Sequence, residues 1–162
     1  MSEMDWASWV PLWVFSPMFV AIAWTDFSQM RIPNLYCIIG LAVFVMALPV
    51  LAWDEIVVRG ISSITCFVVC FALFAAGWLG GGDAKILPVV VLLIPPPYLP
   101  TYLFLFSAAM AAGLLGMPLV RLCAGRTDRF VSLGQSREFP MGIAIGLAGF
   151  VLAFLAMVWS LH

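Results

Sequence analysis

Charged side chains are so scarce in this sequence that no water-soluble globule can be built from it. Of the 162 residues, 65% are hydrophobic and 9% are Asp, Glu, Lys or Arg. A soluble domain is roughly 45–50% apolar and about 25% charged. The mean hydropathy, +1.15, points the same way. The excess apolar surface must face lipid, so the chain reads as an integral membrane protein. The balance of 7 Lys+Arg against 8 Asp+Glu gives a net charge of −1, which excludes nucleic-acid binding driven by bulk basicity. Low charge together with 13 Phe and 7 Trp excludes disorder.

A membrane-spanning helix needs about 20 apolar residues. Six apolar segments are legible, at 9–25, 34–53, 57–79, 84–95, 98–120 and 140–161, and they predict an all-α bundle forming one polytopic domain over 1–162. Pro33 suits the first turn of the second helix, where its missing N–H is not needed. Pro95-Pro96-Pro97 must end the fourth helix, leaving about 11 residues, too few to span. A short helix opened by glycines marks backbone buried in protein or lining a polar cavity.

Arg31, Lys85, Arg121, Arg126, Arg129 and Arg137 fall in the first, third and fifth connections, and Arg59 falls near the second. That bias predicts cytoplasmic odd loops and both termini outside. Arg31, Arg121, Arg126 and Arg129 read as topology anchors. Trp6, Trp9 and Trp13 suit an interfacial aromatic belt. The opening MSEMDW is acidic and is not expected to act as a signal peptide. Cys37, Cys66, Cys70 and Cys123 lack CxxC spacing, which argues against a zinc site. Cys66 and Cys70 read as packing residues. The lone histidine, His162, supports no nucleophilic triad.

The acids sort by position. Glu3, Asp5, Asp54 and Glu55 read as solvated outer charges, and Asp128 and Glu138 as partners of loop arginines. Asp26 and Asp83 remain, 57 positions apart yet at the same expected membrane edge. Ionisable groups near the bilayer are costly and are functional candidates. Asp83 follows Gly80-Gly81-Gly82, and glycine lets backbone turn sharply or approach a ligand closely. Two carboxylates brought together can share one proton, one serving as base toward a water and the other as acid. Such chemistry needs no metal or cofactor. Helix dipoles favour Asp83, at a helix start, as the ionised member and Asp26, at a helix end, as the protonated one. Lys85 reads either as a tuner of Asp83 or as an anchor, and Asn34 as a cap or hydrogen-bonding group near the site. Gly142-x-x-x-Gly146 permits close helix packing, inside the bundle or between copies; a homo-oligomer stays open.

Three motifs resemble the type IV prepilin peptidases, a family of GxGD intramembrane aspartyl proteases. Gly80-Gly81-Gly82-Asp83 matches the GxGD motif, with Lys85 two residues on. Asp26 followed by Ile32-Pro33-Asn34 matches the first catalytic region. Pro140-Met141-Gly142 is similar to the last-helix motif, with Met141 where an aromatic is usual. Pro88 inside the fourth helix is atypical. The resemblance implies a catalytic Asp26/Asp83 dyad, supported by Gly80, Gly82, Lys85, Pro33, Asn34, Pro140 and Gly142. It implies an inner-membrane protease cutting the basic leader from prepilins, each with glycine before the cut and an apolar helix after it. The larger family members' Cys-x-x-Cys segment is missing between the first two helices. The chain therefore resembles the short form found with tight-adherence (Tad) pili, without methyltransferase activity. The competing readings are a non-catalytic membrane subunit of a secretion or pilus apparatus, a small transporter, or a GxGD protease of the signal-peptide-peptidase type. The last usually has Tyr-Asp at the first aspartate, where this chain has Thr25-Asp26.

Overall fold

A computed structural model describes residues 6–29, 31–124 and 141–160, with side chains in the second stretch as far as Gly116. Expectations for Glu3, Asp5, Arg126, Asp128, Arg129, Arg137, Glu138, Pro140 and His162, and for the side chains of Arg121 and Cys123, lie outside the described residues. The described chain is all helical: α1 (Trp6–Gln29), α2 (Asn34–Ala47), α3 (Trp53–Ala75), α4 (Asp83–Leu93), α5 (Leu99–Ala124) and α6 (Met141–Ser160). Short 3₁₀ turns at Leu48–Val50 and Pro96–Tyr98 follow α2 and precede α5. Among the described residues four helices, in α1, α3, α5 and α6, are long and apolar enough to cross a membrane. The second apolar segment is a shorter helix over Asn34–Val50, and α4 has the 11 residues that the prolines dictate.

Helix α1 is the axis of the bundle. Leu12, Phe15, Phe19, Ile22 and Asp26 repeat at steps of three and four, so they share one face, and all are buried. Pro17 removes the N–H that the Trp13 carbonyl would accept, and the Ser16 hydroxyl donates to that carbonyl at 2.7 Å instead. The most extensive helix pair is α1 with α6. Gly146 permits it: a Cβ there would strike the Phe19 carbonyl and meet the Ala23 Cβ at 3.0 Å. The small-residue spacing is thus used for packing within the chain. Helix α6 lies between α1 and α5, while α4 packs against both α2 and α3.

The tryptophan belt is only partly as expected. Trp6 is exposed, but Trp9 is 1% exposed and packs against Tyr98, with ring centroids 4.5 Å apart. Its position on the inner face of α1 outweighs the interfacial preference of its type. Cys70 is buried with its Sγ 3.8 Å from that of Cys66, in keeping with packing roles. Helix α3 ends where Gly77 takes φ +76°. There the Trp78 N–H bonds the Leu73 carbonyl and the Gly77 N–H that of Phe74, a Schellman closure.

Glu55 and Arg59 correct the sequence expectation. Arg59 is fully buried rather than interfacial, and Glu55 is its partner rather than a solvated charge. The guanidinium donates to Glu55 Oε1 at 2.7 Å, to the Leu93 carbonyl at 2.7 Å and to the Leu92 carbonyl at 3.2 Å. It also donates to the Ser8 carbonyl, and the Ser8 hydroxyl donates to Glu55 Oε2 at 2.8 Å. The last carbonyls of a helix have no intrahelical donor, and here Leu92 and Leu93 are buried. Arg59 supplies the missing donors and ties α1, α3 and α4 at one point. Removing one partner of a buried ion pair costs about 3–5 kcal/mol. Arg59→Leu is therefore expected to lower the thermal unfolding temperature in detergent micelles far more than Ser8→Ala does. Equal, small shifts would contradict the clamp.

Candidate active site

Asp26 sits on the buried stripe of α1, three residues before that helix ends, and is 6% exposed. The Gly142 N–H, at the start of α6, donates to Asp26 Oδ2 at 2.6 Å, and the Ile143 N–H also points to the carboxyl. A helix N-terminus offers orphan N–H groups, which suit an anionic oxygen. Only glycine allows the approach: a Cβ on residue 142 would lie 2.7 Å from the Asp26 Cβ and 2.8 Å from Oδ2.

Asp83 opens α4 and lies outside the spanning helices. The glycines before it serve by their size rather than by handedness. Gly82 has helical φ −68°, and only Gly77 has positive φ among the described glycines. A Cβ on Gly80 would sit 2.8 Å from Asp83 Oδ2, and one on Gly82 would press on Ile32 at 3.2 Å. The Gly80 carbonyl accepts the Ala84 N–H at 3.0 Å and that of Gly82 the Ile86 N–H at 3.1 Å, which starts the helix.

Both aspartates line one cavity of about 460 Å³, with Gln29, Arg31, Ile32, Pro33, Asn34 and Gly80 to Gly82. Burial pushes the Asp83 carboxyl up to about 7, and the neighbouring charge of Asp26 pushes it the same way. The helix-dipole expectation of a readily ionised Asp83 is overridden by these two effects.

The supporting residues divide. Gly80, Gly82 and Gly142 shape the carboxyl surroundings directly. Pro33 is the N-cap of α2 with extended backbone (ψ 138°), one residue earlier than expected, and its carbonyl accepts the Tyr36 N–H. Lys85 is exposed and donates to Asn34 Oδ1 at 3.4 Å rather than to Asp83. Gln29, Arg31 and Ile32 also form the cavity wall, a place that the motifs alone do not assign them. Their signal is proximity in sequence to Asp26, which the four-residue step between α1 and α2 turns into proximity in space.

A sequence model of the type IV leader peptidase family matches residues 13–117, which hold both aspartates and the glycine turn. Gly142 lies beyond that stretch. No curated protein and no solved structure matches.

An infrared titration reads the site directly. A carboxylic-acid carbonyl band titrating near pH 7 is expected, absent from Asp83→Asn. In Asp26→Asn it should titrate at lower pH, because the neighbouring charge is gone. A band that ignores residue 26 would contradict the pairing.

Proposed function

Since the chain belongs to the type IV leader peptidase family, we propose that it is a membrane-embedded aspartic endopeptidase that removes the basic leader from type IV prepilin-like precursors. The observation that carries this reading is the shared cavity of Asp26 and Asp83.

Water and two unequal carboxylates suffice for peptide hydrolysis. The amide N–H groups of Gly142 and Ile143 point at the buried Asp26 carboxyl. Asp83 holds its proton up to about pH 7. In the proposed step Asp26, the member that meets amide donors, is the base that takes a proton from water. Asp83 is the acid that protonates the scissile carbonyl oxygen as water adds to its carbon. This is the opposite of the assignment drawn from helix dipoles, and it rests on the amide donors that Asp26 has at the start of α6. Collapse of the tetrahedral intermediate returns a proton to the leaving nitrogen and regenerates the pair, with roles exchanged within the cycle.

The proposed orientation puts the cavity at the cytoplasmic edge of the inner membrane and both termini in the periplasm. The Lys/Arg bias supports it. The single basic residue against that bias, Arg59, is buried and engaged by carbonyls and Glu55, so it carries no topological weight. The lack of a long insert between α1 and α2 supports the short form associated with Tad pili.

Coexpression with pilin-like precursors from the same genome, read by mass spectrometry, tests the reading. Loss of the leader is expected with the wild type and not with Asp26→Asn or Asp83→Asn. Retained cleavage in either variant would overturn the dyad, and no cleavage of any precursor would favour a non-catalytic membrane subunit. The alkaline limb of kcat/KM should centre near pH 7, since Asp83 must be protonated. Gly142→Ala should cut the cleavage rate by at least about tenfold, because lost donors to a charged group are worth about 1.5–3 kcal/mol. Gly116→Ala, with open space around it, should not.

A further inference from the structure

Helices α2 and α3 pack on α4 rather than on each other. They leave a second cavity of about 440 Å³ between them. Ile38 and Leu41 of α2 form one wall, Ile64 and Phe67 of α3 the other, and Pro88 and Val89 of α4 the floor. The four wall residues are each between 47% and 66% exposed, so the groove is open at its side. At one end stand Asn34 and Lys85, bonded to each other. Asn34 also lines the aspartate cavity, so the two cavities meet at this residue. From Asn34 to Leu41 the groove follows α2 for about 10 Å, nearly two helical turns.

We propose that this groove holds the first turns of the substrate's apolar helix, immediately beyond the scissile bond. The proposal rests on the peptidase reading and adds where the substrate lies. Its argument is continuity. A chain cut between Asp26 and Asp83 and continuing as an apolar helix must pass from a polar cavity to an apolar surface without exposing its backbone to lipid. Asn34 stands at such a junction. The first N–H groups of a helix lack intrahelical acceptors, and the Asn34 side-chain oxygen, held by Lys85, is an acceptor at the groove's mouth. A second apolar hollow, lined by Val20, Ala23, Trp24, Phe27 and Ile143, shares no residue with the aspartate cavity. It serves as the comparison site.

The test places a benzoylphenylalanine photo-crosslinker at Leu41, Ile64 or Val20 of the full chain carrying Asp83→Asn. Each variant is coexpressed with a precursor that the parent protein cleaves. Adducts to the precursor's apolar helix are expected from positions 41 and 64 and not from 20. Adducts to lipid alone, or no more at 41 and 64 than at 20, would overturn the groove while leaving the peptidase reading intact. If the parent cleaves no precursor, the peptidase reading falls, and this proposal with it. In the active protein, Ile64→Trp should raise KM several-fold with kcat retained, whereas Val20→Trp should change neither. Unchanged KM in Ile64→Trp would also count against the groove.

Discussion

Everything at the candidate site depends on ending an 11-residue helix inside an apolar bundle. Helix α4 is too short to span, so its last carbonyls finish among buried side chains. Unpaired, each would cost several kcal/mol in a medium without water. Arg59 resolves this with donors to Leu92 and Leu93, and its own charge is balanced by Glu55. With its far end fixed, α4 presents Asp83 at its near end, opposite Asp26. The length of α4, set by Pro95, is what brings a cavity and a charged side chain to the same edge of the bundle.

Glycine then sets how closely the carboxyl groups are approached. At Gly142 the missing Cβ lets the α6 backbone reach Asp26, and at Gly80 it leaves room for Asp83. Deeper in the bundle, Gly146 sets the α1–α6 spacing on which the first contact depends. These glycines have ordinary backbone angles. Their value is space, and the two carboxyl environments differ: Asp26 is buried against amide donors, and Asp83 is half-buried at the start of α4.

Much of this was legible in the sequence. Hydropathy gave the helical membrane fold, the triple proline gave the length of α4, and scarcity of charge isolated Asp26 and Asp83. The alternation of three and four from Leu12 to Asp26 was a further signal that Asp26 faces inward. What the sequence hid were long-range partners. Glu55 and Arg59 show an i,i+4 spacing, but nothing local says that Arg59 meets carbonyls 33 and 34 residues away. Trp9 has the character of an interfacial residue and becomes core through its register on α1. Equally hidden was that the start of α6 meets Asp26 at the end of α1, a contact across 116 residues.

The central claim is that Asp26 and Asp83 act as one unit. Groups that do so are strongly non-additive when removed. Single-turnover cleavage rates of a cognate precursor in reconstituted vesicles should therefore fall to the same floor in Asp26→Asn, in Asp83→Asn and in the double variant. A single variant that retains part of the rate, with a further drop in the double, would contradict the account.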